Sequence, residues 1–490
     1  MSSKELEVEP LQGGKKQVEG KFTGPLCLTT LAIVWGSFQF GYHIGCINAP
    51  GDMIKQWFGE SHNNAFGKPI DQSTITFLWS TAVSIFGIGG MAGGLLSGWF
   101  ADRFGRRGAL LLNNIFAFIA AALMALCKMV DLYPLMIIGR LVIGFHSGLA
   151  SGLVPMYLTE VSPINLRGTL GSIHQLFVTI AILVSQVLGL NFLFGTTSRW
   201  PWIFAMTVVP AILQLIMLPM CPESPKYSLV VKNQSDAAEA ALKKLRGRDD
   251  VKDELEAIQE EATAAQNTPK VSMLDLFKGS LRWPMFIAIM MMLSQQLSGI
   301  NAAMFYSNTI FKSAGLDDQQ ATYATIAMGS INVLMTVISV YLVDHPKFGR
   351  RLLHLIGLSV MFIASMLIVL ALTMIKNGSK GTWSYLAIAF VLLFVIGFAT
   401  GPGSIPWFFV SELFGSGARG PASSVAAMVN WTANFFVGLL FLPIEGALKQ
   451  NAFFIFSGFL LVFIIFTWKF VPETKGKTVE QINAEFDKRK

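Results

Sequence analysis

Charge is scarce in this sequence. Asp, Glu, Lys and Arg make up 14% of its 490 residues while 53% are hydrophobic, against about 25% charged in an ordinary soluble domain. A soluble globule could not cover so much apolar surface and is excluded. Cysteine is nearly absent as well: Cys27, Cys46, Cys127 and Cys221 lie in or at the ends of apolar stretches and form no C-x-x-C pair. That pattern argues against a metal site or a disulfide framework and leaves buried thiols. No His/Asp/Glu cluster and no nucleophile elbow interrupts the apolar stretches, so an enzyme finds no support and no cofactor is expected. The basic groups behind the net charge of +7 are scattered over loops, which sets a nucleic-acid role aside.

What is present is a series of apolar runs of about 20 residues, each able to cross a hydrocarbon core of about 30 Å as a helix. About twelve recur, near 25–47, 73–100, 108–128, 133–155, 168–195, 200–221, 283–310, 320–343, 352–375, 383–411, 421–446 and 451–471. The first follows a polar stretch containing Glu5, Glu7 and Glu9, unlike the basic start of a cleaved signal peptide, so an uncleaved N-terminus is expected. The runs divide the chain into a tail (1–24), a six-helix bundle (25–221), an insert (222–282), a second six-helix bundle (283–471) and a second tail (472–490). In the insert, Asp236 and Glu239 open an alanine-rich stretch that stops near Gly247, a capped helix; residues 249–266 predict a second helix and 271–278 a short third. The insert is a solvated linker or a latch against the bundles. Residues 48–72, with Trp57 and Phe58, form the other long loop.

Arg103, Arg106, Arg107, Arg167, Arg350, Arg351 and Arg419 fall in alternate loops, joined by Lys226, Lys232, Lys243, Lys244, Arg246 and Arg248 in the insert. By the positive-inside rule those loops and both termini face the cytoplasm. Two motifs recur about 250 residues apart: E-V-S-P-I-N-L-R-G at Glu160–Gly168 and E-L-F-G-S-G-A-R-G at Glu412–Gly420. Each is preceded by G-R-R (Gly105–Arg107, Gly349–Arg351) and followed by Pro-Glu (Pro222-Glu223, Pro472-Glu473). Such order-preserving recurrence indicates a duplicated membrane fold. Glu160 with Arg167, and Glu412 with Arg419, beside Arg106, Arg107, Arg350 and Arg351, read as salt-bridge latches that close the inner face, or as simple topology determinants. Exposed pairs contribute about 0–1 kcal/mol each, so only several together could bias a rocking motion.

A polar group in hydrocarbon costs several kcal/mol unless paired, so amides inside the spans line water or substrate, or tie helices together. Gln175, Gln295, Gln296, Asn301, Asn332, Asn430 and Asn434 are such amides. Amides donate and accept without formal charge, which suits a neutral polyol that must be released again. Gln295, Gln296 and Asn301 share one side of a helix only if it is distorted, and Gly299 supplies a break. Trp407 follows Gly401, Pro402, Gly403 and Pro406, a run that cannot sustain a regular helix. Its indole could pack on a sugar ring or anchor at the membrane interface. Arg140, inside a span, requires an anionic or carbonyl partner.

Several motifs together, Q-F-G-Y at Gln39–Tyr42, D-R-F-G-R-R at Asp102–Arg107, P-E-S-P at Pro222–Pro225, Q-Q-L-S-G-I-N at Gln295–Asn301, G-P-G-S-I-P-W at Gly401–Trp407 and P-E-T-K-G at Pro472–Gly476, resemble the sugar-porter branch of the major facilitator superfamily. Within it the chain is most similar to animal facilitative glucose transporters. The resemblance implies an all-α membrane protein with the major facilitator fold: twelve transmembrane helices in two pseudo-symmetric six-helix bundles, a central hexose site with D-glucose as substrate, and alternating access in a plasma membrane. Carried over by position, it makes Gln175, Gln295, Gln296, Asn301, Asn332, Trp407 and Asn430 the sugar contacts, with Asn434 adjacent. Departures from the family pattern are Ala399 for a glutamate, Ser404 for a proline, and Met292-Leu293-Ser294 for the Q-L-S triplet associated with glucose preference. The last weakens the exclusion of fructose. The loop Asp344–Phe348 is longer than the family's usual version.

Proton-driven relatives hold an aspartate directly after G-Y in the first span, where this chain has His43. A lone histidine is a satisfied hydrogen-bonding group or a proton-responsive one; with no carboxylate nearby in that span, a uniporter is expected and a proton symporter is the alternative. A sugar receptor without turnover is set aside because such members carry long cytoplasmic tails, whereas 19 residues follow Val471. The loop after the first span has no N-x-S/T, and the sequon at Asn377 lies close to the membrane.

Overall fold

The computed structural model describes residues 20–477 and 479–489, so Glu5, Glu7 and Glu9 lie outside the described residues. All regular elements among the described residues are helical. The first span is Gly24–Gly45, with 22 residues and about 33 Å of length. The rest of the first half is Gln72–Phe104 (second), Arg106–Leu126 (third), Pro134–Val161 (fourth), Arg167–Leu188 (fifth) and Pro201–Met220 (sixth). The seventh span is broken into Arg282–Gln296 and Ile300–Ser313, and the tenth into Thr382–Thr400 and Ile405–Leu413. Between and after them run Asp318–Asp344 (eighth), Arg350–Lys376 (ninth), Ser416–Leu448 (eleventh) and Phe453–Phe470 (twelfth).

Both breaks have local causes. Gly299 sits in the left-handed region at φ 94°, which ends one helix and starts the next. Gly401, Pro402, Gly403 and Ser404 form a turn before Pro406 re-enters a helix at its first turn, where its missing N–H costs nothing.

The halves repeat one packing scheme. In the first, the first span packs on the fifth, the second on the fourth, and the third on the fourth and sixth; in the second half, the seventh packs on the eleventh, the eighth on the tenth, and the ninth on the tenth and twelfth. They meet where the second span packs on the eleventh and the eighth on the fifth, a pair of contacts that the same two-fold relation exchanges. Small residues set the closest approaches. Gly89 and Gly93 of the second span face Gly144 and Gly148 of the fourth so closely that a Cβ on any of them would overlap the opposing backbone.

Because backbone cannot move aside as a side-chain tip can, Gly93→Val is expected to cost about 3 kcal/mol or more, the upper end for overpacking. Its yield as monodisperse detergent-extracted protein should collapse. Gly98→Val, on the same span but facing open space, should leave the yield unchanged. Equal yields would disprove the close-packing account.

The insert differs in detail from its sequence. The first helix, Ser235–Arg246, is flanked by Gln234 without a side-chain cap, while Asp236 lies in the first turn, where its charge still favours the helix dipole. Gly247 at φ 65° closes it. The second helix is Lys252–Asn267. The expected third helix is only a 3-10 turn at Asp275–Phe277: Ser272 and Asp275 cap its start reciprocally (Ser272 N to the Asp275 carboxylate 3.2 Å, Asp275 N to Ser272 Oγ 3.3 Å), but extended Lys278 and Gly279 at φ 54° stop it after one turn.

The linker is also not simply solvated. Thr23 Oγ1 donates to Leu245 O (2.6 Å), and Arg246 pairs with Glu254 (2.6 Å) while donating to Val161 O (2.8 Å).

Residues 48–72 are likewise not a loop. Gly51–Phe66 is a helix whose Ile54, Trp57, Phe58 and Ser61 are buried, a narrow apolar stripe in a polar sequence. Trp57 Nε1 and Asn64 Nδ2 donate to the Asp131 carboxylate (3.1 and 2.8 Å), and these bonds, that of Asn64 first, hold it below the usual carboxylate range. Asp71 caps the second span through Thr74 N (3.2 Å); hydroxyls of Ser73 and Thr74 lower its carboxyl to about 2, so the cap stays charged at physiological pH.

Candidate functional site

The two helix breaks meet near the middle of the bundle, and one side chain joins them. Gln295, in the last turn before the seventh-span break, donates to Pro402 O (2.9 Å) and Gly403 O (2.8 Å) in the tenth-span break. Its Oε1 accepts from Asn430 Nδ2 (2.6 Å) and Gln296 Nε2 (3.3 Å). Gln296 Nε2 also donates to Asn430 Oδ1 (3.0 Å), and its Oε1 accepts from Asn301 Nδ2. Four uncharged amides thus form one network across the seventh and eleventh spans, all buried. Gly299 makes this possible by turning Asn301 back toward Gln296.

Gln175 is half-buried on the fifth span, Asn332 buried on the eighth, and Trp407 keeps 43% of its surface exposed. Among the described residues no hydrogen bond joins these three to the network. Asn434 lies one turn beyond Asn430, its Oδ1 without a partner. Around Gln175 every residue from Gly171 to Phe177 keeps part of its surface exposed.

That motif side holds a duplicated ionic arrangement. Arg106 grips Glu160 with two bonds (Nε to Oε2 2.8 Å, Nη2 to Oε1 2.9 Å), and Ser224 Oγ donates to the same carboxylate. In the second half Arg350 Nε reaches Glu412 (3.3 Å), and Thr474 takes the place of Ser224. The Pro-Glu repeat supplies helix caps: Glu223 accepts from Arg106 N (3.0 Å) and Arg107 N (3.1 Å), and Glu473 from Arg350 N (2.8 Å) and Arg351 N (3.2 Å). Carboxylates at helix N-termini satisfy orphan N–H groups and the dipole at once. Arg107 donates to Cys221 O (2.8 Å) and Arg351 to Trp468 O, closing each half on its last span.

The pairing expected inside each E…R-G motif is corrected. Glu160 takes Arg106 instead of Arg167, and Glu412 takes Arg350, because the chain breaks between Glu and Arg in each motif and the arginine enters the following helix. Arg419 donates to Phe414 O (3.3 and 3.2 Å). Arg167 and Arg419 both act on Glu261 of the linker, whose carboxyl is held below its usual range first by the Lys226 hydrogen bond. The longer loop Asp344–Phe348 is held by Lys475, whose ammonium donates to Val343, His345 and Phe348 carbonyls (3.1, 2.7 and 3.0 Å).

On the opposite side the halves are clamped together. Asn48, just past the first span, donates to Met304 O (3.3 Å) and Ser307 Oγ and accepts from Asn308 N (3.2 Å). Lys312 bridges Asp52 (2.6 Å) and Asp318 (2.7 Å). Burial pushes the Asp52 carboxyl up, but Lys55 and Lys312 outweigh it and hold it below its usual range.

A family model described as "Sugar (and other) transporter" matches residues 28–486. The chain belongs to the sugar transporter family. It is 62% identical over 472 residues to "Facilitated glucose transporter protein 1" of Caenorhabditis elegans, covering 96% of this chain and 92% of that relative. It is 44% identical over 468 residues to "Solute carrier family 2, facilitated glucose transporter member 1" of Gallus gallus, covering 95% and 94%.

Among solved structures this sugar transporter family member is similar to the inward open conformation of the xylose transporter XylE from E. coli (TM-score 0.78, 27% identity, 93% of this chain and 98% of that one). It is also similar to the proton:xylose symporter XylE bound to 6-bromo-6-deoxy-D-glucose (TM-score 0.76, 28% identity, 94% and 99%). The major facilitator fold follows.

Several other buried polar groups of the transporter are structural ties. Arg140, fully buried, donates to the carbonyls of Ala82 (3.2 Å), His43 (3.0 Å) and Val83 (3.4 Å) and lies 4.6 Å from the Phe86 ring centroid. His43 has Thr207 Oγ1 at 2.8 Å from Nε2 and Cys46 Sγ at 3.6 Å from Nδ1. Gln39, Asn114 and Gln214 form a second amide cluster (3.0–3.4 Å) that pins the first, third and sixth spans. Sequence reasoning did not single out these three amides, the Asn48 clamp or the capping role of Glu223 and Glu473; only the last had a signal, its recurrence.

Proposed function

We propose that this protein carries a neutral hexose, foremost D-glucose, down its gradient across the cell membrane as a uniporter working by alternating access. One observation carries the reading: a network of uncharged amides ties the broken seventh span to the broken tenth. Amides exchange hydrogen bonds with sugar hydroxyls and with each other at similar free energy, so a sugar can displace the internal bonds and leave again. Millimolar affinity, about 4 kcal/mol, suffices for a carrier. Relatives named as facilitated glucose transporters support the same substrate.

In this reading Gln175, Gln295, Gln296, Asn301, Asn332, Trp407 and Asn430 contact the sugar. The motif side faces the cytoplasm by its basic loops, as do both termini, and the conformation is inward-facing with its outer clamp shut. Arg106–Glu160 and Arg350–Glu412 brace each half as a unit during rocking, while Arg107, Arg351, Arg167 and Arg419 hold span ends and linker.

Proton symport is the second reading, because one similar structure is of a proton:xylose symporter. His43 argues against it: its ring nitrogens face a hydroxyl and a thiol rather than a carboxylate that could shuttle a proton. Purified protein in liposomes with an internal pH dye tests both readings. D-glucose uptake should exceed that of L-glucose without a change of internal pH, and His43→Asn should keep that behaviour. Sugar-dependent acidification of the lumen lost in His43→Asn would establish symport, and equal uptake of both enantiomers would end the hexose reading.

A further inference from the structure

Gln186 is one of the polar side chains of the membrane region that the arrangement above leaves without a task. It is 1% exposed, and neither its Oε1 nor its Nε2 has a hydrogen-bond partner. An unpaired amide in this environment costs on the order of 1–3 kcal/mol, a cost that a ligand hydroxyl would relieve.

Its position says which. Gln186 lies eleven residues beyond Gln175 on the fifth span. At about 100° per residue that returns to within about 20° of the same face, roughly 16 Å further from the motif side. It presses on Gly329 of the eighth span, where a Cβ would overlap its Oε1. Gly329 is three residues from Asn332, on the same helix face and nearer the clamped side. The fifth and eighth spans form one of the contacts between halves, so opening of the clamped side separates Gln186 from Gly329 and exposes its amide above the central site.

We propose that Gln186 is an additional sugar-contacting position on the outer part of the path, taken up by a hexose hydroxyl when the outer side is open and covered when it is shut. The inference rests on the hexose-carrier reading and adds a residue and a sidedness to it. The Gly329 surface opposite has no side chain, which gives the long Gln186 side chain a slot in the closed state and leaves room for a ligand in the open one.

Gln186→Leu removes the amide at similar size. Influx from outside and efflux from preloaded cells are measured for D-glucose and for each monodeoxyglucose. In the parent protein, influx of one deoxy sugar should have a KM about five times that of glucose, the loss of one neutral hydrogen bond. In Gln186→Leu, influx KM for glucose should rise by that factor and the discrimination against that one deoxy sugar should vanish, while efflux discrimination stays unchanged.

A uniform shift for all sugars would make Gln186 a tie between helices and overturn the proposal, as would no shift. Should the leucine variant fail to reach the membrane, Gln186→Asn, with the amide withdrawn by one methylene, is expected to show the same one-sided loss. Absence of stereoselective uptake by the parent protein would instead defeat the carrier reading itself.

Discussion

Alanine at Gln296 is expected to lower D-glucose uptake by about ten- to a hundredfold, with normal amounts of folded protein in the membrane. The side chain makes bonds to Asn301, Asn430 and Gln295. Truncation therefore removes both a sugar contact and the link that orients its neighbours. At about 1 kcal/mol per neutral bond, two lost bonds correspond to this range, since about 1.4 kcal/mol is tenfold. Trp407→Ala should reduce uptake to a similar extent by removing the aromatic face, again without loss of folding, because 43% of the indole is already exposed. Unaltered uptake kinetics in two well-expressed variants would place the site elsewhere.

Arg106→Leu and Arg350→Leu should differ in severity although they occupy equivalent positions in the repeat. The Arg106 and Glu160 side chains are 9% and 10% exposed and share two bonds. Removing the arginine strands a buried carboxylate, at a cost of about 3–5 kcal/mol. The Arg350–Glu412 pair is 13% and 26% exposed at 3.3 Å, so water reaches Glu412 once its partner is gone. A loss nearer 1–2 kcal/mol is expected there. Thermal unfolding of the detergent-solubilised variants reads the difference; equal losses, or a larger one for Arg350→Leu, would refute the burial argument.

Much of the architecture was legible because it depends on local chemistry. Apolar length marks a span, Gly299 and the Gly401–Pro406 run mark breaks, and the recurrence of E…R-G, G-R-R and Pro-Glu marks the duplication. What stayed hidden depends on contacts between distant segments. Lys312 meets Asp52 across 260 residues, and nothing in either neighbourhood announces the other. Glu223 and Glu473 recur visibly, yet their work exists only once a helix terminus is brought to face them. Gln175 and Gln186 share a helix and a residue type, and only the packed structure separates the accessible amide from the covered one. The helix Gly51–Phe66 escaped because its apolar stripe is a few residues wide within polar sequence.

The docking of the linker shortens the tether that joins the two bundles. With Leu245 and Arg246 fastened to the first half and Glu261 held by Lys226 (3.0 Å), the chain that can pay out is residues 268–274, between the second linker helix and the turn at Asp275, once Thr268 and Pro269 leave Gly417 and Val271 leaves the second-half core. Seven extended residues reach about 25 Å at most. That leash, not the full 61-residue length of the insert 222–282, bounds how far the bundles can swing apart on their motif face before the peptide is drawn taut.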